Sequence, residues 1–307
     1  MKYTPLLIAC FLTSIVLAEN AAGQKSQVTF SRQGDIQYVK SNGIPNHETG
    51  AFPNHNNPNR ISAQSHSYKF TLNPKMNSRV TPSGMGAFGV AVNGVPFDPA
   101  AAEYWNRNRN SGWQYEAMGS GVDLGVDNSN AHVQPTGTYH YHGIPNGLLN
   151  KLGGAHQPTL VGYAADGFPI YNQYCTEDTD GAAKKIYASY KLKGGQRSGG
   201  PGGRHTGEFT QDYQFKVGLG DLDECNGHVA KTSEYPSGFY HYHLTETFPF
   251  IPRMYRGTPD ASFKHHGGPP PGGGRGGPGQ RGGINRPERP RPPHINGPRP
   301  PRPPRRP

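Results

Sequence analysis

Tyr139-His140-Tyr141-His142 and Tyr240-His241-Tyr242-His243 are one four-residue phrase written twice, each set one residue beyond a glycine, Gly137 and Gly238. The match extends upstream, where Asn130-Ala131-His132-Val133 precedes the first copy and Asn226-Gly227-His228-Val229 the second. Alternate side chains of a β-strand project from one face. Each phrase therefore brings two imidazoles together and turns its two tyrosines the other way. With the upstream histidine, each half offers a triad: His132, His140 and His142, then His228, His241 and His243. Neutral imidazole ligates zinc, copper, iron or nickel, and three ligands match a mononuclear site with one open position. Spacing leaves nuclearity open. Halves packed face to face would gather six histidines at one dinuclear centre, and separated halves would make two sites.

The sequence around the triads reads as β structure. Ser67–Leu72, Gly89–Val92 and Tyr213–Val217 alternate or carry β-branched and aromatic residues and end near Gly, Pro, Asn or Asp. Asn93-Gly94 and Asp166-Gly167 are hairpin signals. Pro99–Trp105, after Asp98 as a cap, reads as a short helix, and the glycine-rich run Lys193–Gly207 as a flexible connector between the halves. The expected fold is mainly β, a sandwich-like or barrel-like body of two related halves with few short helices, over residues 24–264.

The ends read differently. Lys2, the apolar run Leu6–Val16 and the small residues to Ala18 predict a signal peptide over residues 1–18, too short for a comfortable transmembrane helix, and hence export to the periplasm or beyond. With Cys10 removed, Cys175 and Cys225 are expected to form a disulfide, worth about 4 kcal/mol for a loop of about fifty residues; the alternative is Cys225 as a thiolate ligand near His228. Residues 265–307 hold 14 prolines, 11 glycines and nine arginines against Glu288 alone, a disordered tail carrying +8 of the chain's +10. That tail suits anionic envelope polymers. The remaining body is nearly neutral and gives no electrostatic reason for specific nucleic-acid binding.

Taken together, Val90–Phe97, Gly137–Gly143, Val161–Tyr171, Gly220–Gly227, the second tetrapeptide and Phe248–Arg253 resemble the YHYH-domain family of secreted bacterial proteins. The resemblance implies the extent of the domain and, since the family's biochemical role is poorly defined, little about a reaction.

All-imidazole sites suit copper or zinc, and the absence of methionine near either motif disfavours a blue-copper centre. The histidine pairs are not interrupted by cysteine as in multicopper oxidases, and Glu246 follows His243 too closely for a cupin. The predicted mature N-terminus is Glu19, which rules out a histidine brace. Asp123, Asp127, Asp221, Asp223 and Glu224 precede the Asn-x-His elements and are candidates to orient imidazoles or to bind calcium. Glu177–Gly181 reads as a turn. No Gly-x-Ser-x-Gly elbow or phosphate-binding glycine loop occurs. Three functional readings follow: a copper- or zinc-dependent oxidoreductase or hydrolase, in which Tyr139, Tyr141, Tyr240 or Tyr242 would assist; a metal capture or delivery protein; and an adhesive envelope protein whose histidines only pack.

Overall fold

Alternating burial in three runs sets the first layer. In a computed structural model, which describes residues 23–176 and 181–264, strands β1 (Val28–Gln33), β2 (Ile36–Ser41) and β3 (His66–Thr71) form an antiparallel sheet. β3 is buried at every second residue, so Tyr68 and Phe70 point inward with Val39 of β2. β4 (Thr81–Pro82) follows, and then the strands of the main sheet: β5 (Gly89–Ala91), β6 (Pro96–Phe97), β7 (Ala131–Val133) and β8 (Tyr139–Tyr141). The helix α1 (Asn146–Leu152) leads to β9 (Leu160–Ala164) and β10 (Pro169–Tyr171). Short pairs then intervene, β11 (Tyr174–Cys175) with β12 (Lys184–Lys185) and β13 (Tyr190–Leu192) with β14 (Tyr213–Phe215). Last come β15 (Gly227–Ala230), β16 (Phe239–His243) and β17 (Met254–Tyr255), which pairs with β4.

The eight-stranded sheet runs β15-β16-β10-β9-β5-β6-β8-β7. Its centre is the antiparallel pair β5·β9. Outward from there, each arm repeats one pattern: antiparallel (β5·β6, β9·β10), parallel (β6·β8, β10·β16), antiparallel (β8·β7, β16·β15). The arms are thus related by a pseudo-twofold perpendicular to the sheet. The tight turns match as well, since Gly94 (φ 82°) and Gly167 (φ 92°) occupy the left-handed region after Asn93 and Asp166. The boundary between halves lies at α1. This corrects the assignment of the Lys193–Gly207 run as connector, because that run lies inside the second half.

Val39, Tyr68 and Phe70 share one core with Val90, Phe97, Tyr139, Tyr141, Ile170 and Tyr242, so the small sheet covers one face of the large one. Aromatic pairs such as Phe88 stacked on Tyr255 at 4.6 Å reinforce it, by about 0.5–1.5 kcal/mol each beyond their area. The body is sandwich-like, with no closed barrel among the described residues.

Three further expectations change. Pro99–Trp105 is not an α-helix: the Asp98 carboxylate accepts from Ala100 N–H in a local turn, and two short 3-10 turns, Trp105–Arg107 and Arg109–Ser111, follow. The Lys193–Gly207 run is pinned, not loose. Arg197, buried at 5% side-chain exposure, donates to both carboxylate oxygens of fully buried Asp212 at 2.8 and 2.7 Å, and Asp212 also accepts from backbone N–H groups of Thr206, Gly207 and Phe209. Cys175 and Cys225 are not bonded to one another. Cys225 sits in the main core, while Cys175 lies in a satellite cluster with Ile186 and Leu222. The expected signal peptide, the arginine-proline tail and most of the turn expected at Glu177–Gly181 lie outside the described residues. No helix among the described residues is long and apolar enough to cross a membrane.

Candidate metal centres

The edge strands build the sites. In β7·β8 the register sets His132 opposite His140, and in β15·β16 it sets His228 opposite His241. Each is followed two residues on by the third imidazole, His142 or His243. Asn130 and Asn226 precede these strands in the left-handed region, at φ 53° and 57°, a conformation asparagine tolerates better than most residues. Their carbonyls accept from His142 N–H (2.7 Å) and His243 N–H (2.9 Å), closing the pocket end of each strand pair.

In the first triad, His140 Nε2 lies 3.0 Å from His142 Nε2, which lies 3.0 Å from His132 Nε2. Backbone carbonyls decide the tautomers, because a carbonyl only accepts. His140 Nδ1–H donates to Thr138 O at 3.2 Å and His132 Nδ1–H to Leu124 O at 3.0 Å, leaving both Nε2 atoms as bare lone pairs. Asn57 Nδ2, 3.2 Å from His132 Nδ1, donates to Val133 O instead. A single proton on His142 Nε2 can serve only one neighbour, so at least one contact sets lone pair against lone pair. An unsatisfied buried polar atom costs about 1–3 kcal/mol. A cation at the centre removes that cost. Metal–nitrogen bonds of 2.0–2.1 Å in tetrahedral geometry imply N···N separations of about 3.3 Å, close to those present.

The second triad repeats the argument. His243 Nδ1–H donates to Asn172 O (2.6 Å) and His241 Nδ1–H to Phe239 O (2.9 Å), and His243 Nε2 faces His228 Nε2 at 3.1 Å. His241 Nε2 is buried and makes no hydrogen bond. Burial drives all six imidazoles towards the neutral form, His140 down to about 3 and His241 to about 4, so protons do not hold these clusters together near neutrality. Outer contacts to carbonyls also fix ring orientation and raise ligand basicity.

The ring nitrogens of each triad lie within 4.8 Å of one another, a grouping able to hold a metal ion. The two triads do not merge. They stand at opposite edges of the sheet, and their nearer strands, β16 and β8, are five strand spacings or about 24 Å apart measured along it. The second group contains a residue that sequence reasoning placed elsewhere: the Cys175 sulfur lies among His228, His241 and His243, whereas Cys225, the cysteine considered as a ligand near His228, is sunk in the core with its thiol pushed up to about 12 by burial. A cleft of 480 Å³ lined by Cys175, His228, Lys184 and Asp221 opens on this site.

None of the five acidic candidates accepts from a triad imidazole. Asp127 and Asp223 instead accept from the first tyrosine of each phrase, Tyr139 (2.8 Å) and Tyr240 (3.1 Å), and from the N–H groups of their own loops. Asp123 takes Asn56 Nδ2 and Gly125 N–H, Asp221 takes Tyr187 N–H and Lys184, and the Glu224 carbonyl accepts from Tyr190. The tyrosines occupy the core face, away from the imidazoles. Tyr141 meets Asn93 Nδ2 at 2.9 Å and His47 Nε2 at 2.6 Å, and its counterpart Tyr242 donates to Asp166 at 2.5 Å. Asn93 and Asp166 are equivalent under the pseudo-twofold, and their shared Asx-Gly-x-Pro phrase was the signal available for this role.

No curated protein and no solved structure matches the chain. The model of one family, described as YHYH protein, matches residues 67–257, a span that holds both histidine phrases, both Asx-Gly turns and Cys175, and the chain belongs to that family.

Proposed function

We propose that this is a secreted metal-binding protein that holds one transition-metal ion at each histidine triad, copper or zinc by the chemistry of the ligands. The observation that carries the reading is the convergence of Nε2 lone pairs whose Nδ1 protons are already committed to backbone carbonyls. Packed histidines of a purely adhesive protein would leave these atoms unpaired at a cost and with nothing gained. Capture or delivery needs no more than the two sites. An oxidoreductase or hydrolase would use the open position of the three-imidazole site to bind water or oxygen, with the tyrosines shaping the strand from its other face.

The test is metal content by mass spectrometry on protein purified without affinity histidines and supplied with copper, zinc or iron. Two ions per chain are expected, falling to one in His140→Ala/His142→Ala and to one in His241→Ala/His243→Ala. Substoichiometric metal under all three supplies refutes the reading. Oxygen consumption or ester hydrolysis above free-metal controls then separates enzyme from carrier. The arginine-proline tail adds a second proposed contact, with anionic envelope polymers, whose binding should fall steeply with salt and vanish on deletion of residues 265–307.

A further inference from the structure

We propose that the two centres are chemically different, the second being a three-histidine, one-cysteine site in which Cys175 binds as thiolate, while the first is all nitrogen. This inference rests on the metal-binding reading above and refines its second site.

The geometry carries it. Cys175 Sγ and one ring nitrogen each from His228, His241 and His243 all lie within 4.8 Å of one another, four donors where the first group has three. Cys175 arrives there by topology: β10 runs parallel beside β16, so the chain leaving β10 passes over the histidine face and turns into β11. The arrival is specific to the second half. Counting from the matched Pro96 and Pro169, the place of Cys175 falls on Ala102, which offers no ligand atom. Cys175 also lines the cleft with His228, giving an ion a route in from solvent. A thiolate with three imidazoles closes a tetrahedron and favours thiophilic ions, copper or zinc, over harder ones. Binding forms one metal–sulfur bond, and the thiol proton leaves to bulk water with no change in the oxidation state of the ion.

Cobalt(II) is the probe, since a thiolate ligand adds an intense near-ultraviolet charge-transfer band that imidazole does not. The full-length chain titrated with cobalt should bind two ions and show that band. Cys175→Ser should abolish it and weaken the second site by more than about tenfold, the least that loss of an outer contact alone commonly costs. The weaker absorption of the first site, identified by its loss in His140→Ala/His142→Ala, should persist. Should Cys175→Ser fail to fold, alkylation of the wild-type thiol answers the same question, with bound metal expected to protect Cys175 and a chelator to expose it. Two ions bound without the band, or a band that survives in Cys175→Ser, or alkylation indifferent to metal, overturns the cysteine assignment and leaves two triad sites standing. No cobalt, copper or zinc bound at all overturns both readings.

Discussion

Asp166→Asn converts the second half's tyrosine anchor to the residue type of the first, and the structure gives its sign at each pH. Asp166 is 1% exposed, and burial pushes its carboxyl from 3.8 up to about 6, against the opposing hydrogen bonds from Tyr242, Gly257 and Phe168. A carboxyl whose folded pKa is raised contributes stability that is fully present below about 3.8 and is lost as pH rises through about 6. The difference of about two units corresponds to about 3 kcal/mol between the extremes, and to about 2–3 kcal/mol between pH 4 and 7.5. Asparagine removes this dependence. Its amide oxygen can take the Tyr242 hydroxyl and Gly257 N–H, now at 2.5 and 2.8 Å from one carboxylate oxygen, while its NH2 faces the Phe168 N–H and costs about 1 kcal/mol. The variant should therefore be less stable than wild type at pH 4 and more stable at pH 7.5. Urea denaturation of both proteins in the same metal state, across that range, measures the difference directly. Asp98, raised to about 7 chiefly by burial, is common to both proteins and cancels. Profiles that run parallel would refute the assignment of a buried, displaced carboxyl at Asp166.

Asp212→Ala strands the buried Arg197 guanidinium and should cost about 3–5 kcal/mol in chemical denaturation, whereas Arg197→Met/Asp212→Leu should cost much less, with metal content unchanged in the double variant. Tyr141→Phe leaves Asn93 Nδ2 and His47 Nε2 without their shared hydroxyl, and a loss of about 1–3 kcal/mol is expected by thermal melting, again with two metal ions retained because the hydroxyl lies on the core face.

The strands and the grouping of the histidines into triads were legible because they rest on period. Alternation in His66–Thr71 and in the two phrases is a property of consecutive residues, and it placed tyrosines and imidazoles on opposite faces without tertiary knowledge. What escaped depends on partners distant in sequence. Alanines at Pro99–Trp105 favour helix, but Asp98 N–H pairs with Tyr141 O and its carboxylate makes a turn, so pairing with the sheet overrides propensity. Glycine content made Lys193–Gly207 look loose, and the single arginine that organises it carries no local signature. Cys175 lies far upstream of His228 in a stretch with no motif, and only the parallel pairing of β10 with β16 reveals its place.

The central pairing of β5 with β9 explains why the six histidines do not gather in one place. A pseudo-twofold that passes between β5 and β9 carries whatever lies at the outer edge of one arm to the outer edge of the other, so the triads are held as far apart as the sheet allows. Each triad is met by the segment inserted between its arm's inner and outer strands: by the Leu124 carbonyl in the first half, and by the Asn172 carbonyl and the Cys175 sulfur in the second. The two inserts touch one another, through the Tyr115–Phe209 bridge and the bond from Glu116 N–H to the Glu208 carbonyl, yet each brings its own groups to its own triad. Under the metal-binding proposal, unlike inserts on a repeated sheet pattern would turn two matching imidazole triads into centres of different donor softness, while strand order keeps the triads at opposite edges.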